Sequence, residues 1–96
     1  MRRQPQFTFR LFVAGDAPNS VRAVANLTAF CRDYLAERHE LEIVDVFREP
    51  KRALAEGIFM TPTLVALTPP PVRRIVGTLS QTQTVLLTLG LPDSAA

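Results

Sequence analysis

The apolar residues of this chain recur at spacings that change along its length, and each change predicts a new element. Phe9, Leu11 and Val13 fall at every second position over residues 7–14, the period of a half-buried strand. After the turn Gly15-Asp16-Ala17-Pro18-Asn19-Ser20 the steps lengthen to three and four. Val24, Leu27, Cys31 and Tyr34 then form the apolar stripe of an amphipathic helix over residues 20–37. Residues 41–47 are rich in β-branched side chains and predict a second strand, parallel to the first if the helix between them crosses over in the usual right-handed way. Pro50 suits a first helical turn, and residues 51–56 supply a short second helix stopped by Gly57.

From Ile58 onward the pattern divides. Residues 63–67 and 72–76 read as a hairpin around the loop Thr68-Pro69-Pro70-Pro71, and Ser80 with Gln83 forms a capping box for a last helix through Leu86 and Leu89. Yet Val85, Leu87, Leu89 and Leu91 also alternate as a strand does, and Thr82, Thr84 and Thr88 lower helix propensity. Where local signals balance in this way, tertiary context decides, and two packings of one sequence can lie within a few kcal/mol.

Composition narrows the functional classes. Ninety-six residues with 47% hydrophobic and 21% charged make one globular domain spanning residues 1–96, with flexible ends expected at 1–6 and 92–96. No apolar run approaches the length of a membrane span, and the polar residues after Arg2 and Arg3 interrupt any signal-peptide core, so a cytoplasmic location is expected. A net charge of +2 with scattered arginines lacks the basic footprint of a nucleic-acid binder. One cysteine and one histidine exclude an internal disulfide and leave too few ligands for a structural zinc site, and no cofactor motif is present. His39, between Arg38 and Glu40, reads as a solvated helix end. Cys31 falls on the core stripe, where an apolar setting raises a thiol's pKa and suppresses its reactivity.

The order of elements is that of a thioredoxin-like frame, βαβαββα, with Met60-Thr61-Pro62-Thr63 placed as those folds place their cis-proline loop. Where a C-x-x-C pair would sit, however, stand Ala17, Pro18, Asn19 and Ser20. Disulfide exchange needs an attacking thiolate and a resolving thiol, and neither sulfur is there. The frame therefore reads as a binding module; a redox role for Cys31 is the rival from another class.

A more specific resemblance lies in Val13-Ala14-Gly15, Pro18-Asn19-Ser20-Val21-Arg22-Ala23, Ile43-Val44-Asp45-Val46, Thr61-Pro62-Thr63-Leu64 and above all Pro69-Pro70-Pro71-Val72-Arg73-Arg74-Ile75-Val76-Gly77. These segments resemble KaiB, a circadian clock family. The resemblance implies a non-enzymatic protein that binds KaiC, a hexameric ATPase, with KaiA or a SasA-like histidine kinase as further partners. It implies a homo-oligomeric ground state, dimer or tetramer, of different order (βαββααβ) and a fold switch to the thioredoxin-like form for binding. Pro62, Pro69, Pro70 and Pro71 stand within the segment that would rearrange, and Thr88 and Gly90 near its end. Slow X-Pro isomerisation, on the order of tens to hundreds of seconds, would make capture gradual. The docking surface is expected at the start of the first helix and the short second helix, with Asn19, Arg22, Lys51, Arg52 and Glu56 as contacts; Arg73 and Arg74, after the proline triplet, are expected to line the oligomer's polar cleft or contact a partner, with a phosphate-binding pair as a further reading that lacks a glycine-rich loop or helix start beside it. Thr78 stands where many members carry an acidic residue, and residues 91–96 replace a longer acidic tail. A stand-alone sensor or adaptor domain, like the KaiB-like part of SasA, is the alternative function.

Overall fold

The structure, a computed structural model, describes residues 5–91. The chain runs β1 (Phe7–Val13), α1 (Pro18–Tyr34), β2 (His39–Asp45), α2 (Pro50–Ala55), β3 (Thr63–Thr68), β4 (Arg73–Val76) and α3 (Thr82–Thr88), the expected βαβαββα order. One four-stranded sheet has the order β2-β1-β3-β4. β1 pairs in parallel with β2 from Phe7↔His39 to Val13↔Asp45, while β3 is antiparallel to both β1 and β4. The expected flexible ends lie outside the described residues except for Pro5 and Gln6, and the Gln6 amide donates to the Arg38 carbonyl at 3.0 Å.

The alternation in β1 sorts its side chains to two faces. Phe7, Phe9, Leu11 and Val13 meet Ala23, Leu27, Phe30 and Cys31 of α1, Val85 and Leu86 of α3, and Leu89 at the cap of α3 in the larger core. Phe12 points the other way, where a smaller cluster joins it to Val44, Ala53, Ile58 and Val65 beneath α2. Two helices thus cover most of one face, leaving Ile43 at its β2 edge 46% exposed, and a single six-residue helix covers part of the other.

Several boundaries move, each for a local reason. α1 begins at Pro18, two residues before the expected start, because a proline at its first turn needs no amide partner there. Ser20 is buried inside the helix, and its Oγ accepts the Ala14 amide at 3.0 Å, stitching β1 to α1. The helix stops at Tyr34, and Glu37 takes a positive φ of 62° that turns the chain into β2. His39 therefore opens a strand rather than closing a helix; it is half-buried, with Nδ1 2.9 Å from the Leu35 carbonyl oxygen. β2 ends at Asp45, two residues early, because its Oδ1 accepts the Gly15 amide at 3.1 Å and the Phe47 amide at 2.9 Å.

The contested C-terminal segment is a helix. Val85, Leu86 and Leu89 are buried at helical spacing, whereas Leu87, which a strand would place beside Val85 and Leu89, is 74% exposed. The expected Ser80–Gln83 capping box does not form: Gln81 is the N-cap, without a side-chain bond, and the Ser80 hydroxyl accepts from Thr78 Oγ1 at 3.3 Å instead. Gly90, at φ 73°, closes α3, with its amide bound to the Leu87 carbonyl at 3.1 Å and the Leu91 amide to Leu86 at 2.8 Å. No helix among the described residues is long and apolar enough to cross a membrane.

Candidate functional site

α1 and α2 each follow one of the two parallel strands, so both helices begin at the same end of the sheet. Asp45 joins the two turns there, accepting from Gly15 after β1 and from Phe47 before α2. Among the expected contacts, Asn19 and Arg22 lie exposed on the first turns of α1, and Lys51 lies exposed on α2. Among the described residues this end carries the two helix starts and the exposed cationic side chains of Arg22 and Lys51, with no sulfur at the turn Ala17 to Ser20.

Arg52 and Glu56 are placed differently from Lys51. Arg52 forms a fork on Glu42 of β2, Nη1 to Oε2 at 2.7 Å and Nη2 to Oε1 at 2.9 Å, and reaches Glu49 at 3.3 Å. Arg10 of the central strand β1 donates to the same Glu42 at 3.0 Å and to Glu56 at 2.7 Å. A half-buried arginine in a central strand requires such partners, because a charge taken out of water is costly unless paired. The Glu42 carboxyl is held down to about 2 by the hydrogen bonds from Arg52 and Arg10, and the Arg52 guanidinium is pushed up in turn, chiefly by Glu42.

Arg73 and Arg74 separate. Successive β4 residues point to opposite faces, so Arg74 donates to the carbonyls of Glu56 and Gly57 at the end of α2, while Arg73 approaches Gly90 after α3. Two guanidiniums on opposite faces of a sheet cannot grip one phosphate, which corrects the idea of a phosphate-binding pair. Of the residues expected within a rearranging segment, Pro62 is buried and its carbonyl accepts the Gly77 amide at 2.9 Å. Pro69, Pro70 and Pro71 form an exposed turn, and Thr88 and Gly90 sit at the end of α3. The peptide bonds before Pro62, Pro69 and Pro71 are cis.

An apolar patch escaped the periodicity argument. Phe59 and Met60 are 88% and 63% exposed, and with Ile58, Thr63, Arg74 and Val76 they line a shallow hollow of about 200 Å³. Its only sequence signal is the consecutive Ile58-Phe59-Met60 run between Gly57 and Thr61, too short to carry a period. Cys31, by contrast, is where the stripe placed it: buried in the larger core, its thiol pushed up to about 11 by burial. It lies in the fourth turn of α1, away from the helix start that would favour a thiolate. Among the described residues no group of His, Cys, Asp or Glu could hold a metal ion.

The KaiB domain family matches residues 10–91. The chain belongs to the KaiB family. It is 40% identical over 86 residues to the circadian clock protein KaiB3 of Synechocystis, covering 90% of this chain and 84% of that one. It is 41% identical over 85 residues to the circadian clock oscillator protein KaiB of Thermosynechococcus vestitus, covering 88% and 79%. Solved structures of similar fold include the N-terminal domain of SasA from Synechococcus elongatus, at TM-score 0.73 and 19% identity over 98% of this chain and 91% of that one. Chloroplastic thioredoxin z is similar at TM-score 0.74 and 18% identity, over 88% and 77%. KaiB-family sequence and thioredoxin-like fold thus coincide in one chain whose C-x-x-C positions are Ala17 to Ser20.

Proposed function

We propose that this chain is a non-enzymatic timing protein that binds a KaiC-type hexameric ATPase and regulates its phosphorylation cycle and signalling output. The observation that carries the reading is the family match across residues 10–91, joined to a thioredoxin-like frame without a reactive sulfur. The exposed Asn19, Arg22 and Lys51 at the shared start of α1 and α2 form the docking surface, and Arg52 and Glu56 hold α2 in place behind it. KaiA or a SasA-like kinase are further partners, the first recruited and the second displaced on the same ring. The free protein is a homo-oligomer in the alternative fold, and the thioredoxin-like form is the one that docks. If the docking form is a minor fraction, apparent affinity falls by that fraction and capture is gradual.

The test is a time course of mixing with the KaiC-type hexamer of the same organism in the presence of ATP, followed by size-exclusion chromatography. Accumulation over minutes to hours supports the reading, and absence of a complex under every nucleotide condition overturns it. A second reading, a permanent sensor or adaptor domain, is favoured by the near-complete overlap with the SasA domain. It predicts an obligate monomer that binds without a slow phase.

A further inference from the structure

α2 has little to hold it in place by apolar means. It has six residues, buries only Ala53 and has no side-chain cap at its start, whereas isolated helices shorter than about 12–15 residues are marginal in water. Its fixed position must come from elsewhere, and the charged side chains around it supply the answer. Five of them form a continuous chain, Glu49–Arg52–Glu42–Arg10–Glu56, with links of 3.3, 2.7, 3.0 and 2.7 Å. Glu49, Arg52 and Glu56 flank or belong to α2; Arg10 and Glu42 belong to the sheet.

We propose that Glu42 of the edge strand β2 is the positioning residue of α2, clamping the helix to the sheet and thereby setting where its outward residues Lys51 and Leu54 stand. This rests on the reading that α2 takes part in docking. Glu42 is the shared node: its two oxygens take the Arg52 fork and the Arg10 Nε together. Without its charge, Arg52 keeps only Glu49, one turn away on its own side of the contact, and so loses its tie to the sheet. Arg10 keeps Glu56, and Arg74 keeps the carbonyls of Glu56 and Gly57, so the C-terminal end of α2 stays tethered while its start is released. Lys51 and Leu54 lie three residues apart on one exposed side of the helix, with Leu54 73% exposed, and they move with that start. The carboxylate is ionised throughout the physiological range, so the clamp is permanent and not a pH switch.

The experiment compares the full chain with E42Q, E42D and R52Q by amide hydrogen exchange and by binding to the KaiC-type hexamer. Exchange at Ala53, whose amide bonds to the Glu49 carbonyl at the start of α2, is expected to accelerate about three- to tenfold in E42Q, because two partly exposed pairs are lost together. Amides of β1 and β3 keep their wild-type rates, and E42D, which retains the carboxylate, returns α2 toward wild type. Adding R52Q to E42Q is expected to change little further, since the two act through one contact. Hexamer binding by E42Q weakens by a similar factor although no proposed contact residue has changed. Wild-type exchange in α2 of E42Q, or a uniform acceleration across the whole chain, overturns the clamp. Loosened α2 with unchanged hexamer binding overturns its role in docking. If the wild-type chain fails to bind the hexamer, the docking reading falls, and the exchange data alone still decide whether Glu42 positions α2.

Discussion

Phe12 and Phe59 offer the sharpest test of how the α2 face is built. Both are phenylalanines, but Phe12 is fully buried among Val44, Ala53, Ile58 and Val65, whereas Phe59 is 88% exposed on the adjacent loop. A buried phenylalanine removes about 150–200 Å² from water, which at roughly 25 cal/mol per Å² is about 4–5 kcal/mol. The methyl that alanine retains and the compactness of real unfolded chains lower this figure, and the cavity left behind raises it again. F12A is therefore expected to cost about 3–4 kcal/mol and F59A less than about 0.5 kcal/mol. The chain has no tryptophan, so urea unfolding is followed by far-ultraviolet circular dichroism. With a slope of roughly 1 kcal/mol per M for a chain of this size, F12A moves the midpoint down by about 3 M and F59A leaves it in place. Domain stabilities of about 5–15 kcal/mol leave F12A folded or barely so. F12L, which nearly conserves volume, keeps the comparison measurable at a cost of about 1–1.5 kcal/mol. Equal losses for F12A and F59A, or a loss below about 1 kcal/mol for F12A, would refute a packed core beneath α2.

Other consequences are as direct. Glu42 has a folded-state carboxyl at about 2, below its ordinary 4.5, so the stability it contributes is complete above pH 4.5 and is lost as pH falls from there toward 2. An acid-unfolding series should therefore be shallower in E42Q than in wild type, and parallel curves would contradict the ion chain. Cys31 stays protonated, with its thiol at about 11, so an aromatic disulfide reagent at pH 8 should label the native protein far more slowly than the urea-unfolded one. Because folding raises this pKa from 9.0, stability should also decline as pH rises from 9 toward 11, and C31A should remove that decline. Gly90 at φ 73° is a conformation that costs an L-residue about 1–2 kcal/mol, so G90A should lower the melting temperature by several degrees; an unchanged melt would place the end of α3 in another conformation.

Much of the candidate site was legible only in outline. The two helix starts and their exposed Asn19, Arg22 and Lys51 follow from the strand–turn–helix order. That Arg52, Glu56 and Arg74 serve the protein's own α2 could not be read along the chain, because their partners are supplied by β1, β2 and β4. Arg10 occupies a polar position of the β1 alternation, so nothing local distinguishes it from a solvated charge, and the ionic network beneath α2 has no signal along the chain.

By itself the sequence determined the strand–helix–strand opening, the short second helix and the burial of Cys31. Each of these depends on which residues of one segment share a face, and local spacing specifies that. It also determined that no sulfur stands at the turn where thioredoxins place theirs. Only the tertiary structure decided that residues 82–88 are helical, because Val85, Leu86 and Leu89 can be buried together against β1 and α1 in that form while Leu87 stays outside. Only it decided that Arg73 and Arg74 part company, and that Arg10 and Glu42, thirty-two residues apart in the chain, lie 3.0 Å apart across paired strands. Contacts between distant segments depend on the register and layering of the whole sheet, and no single stretch of the chain carries that information.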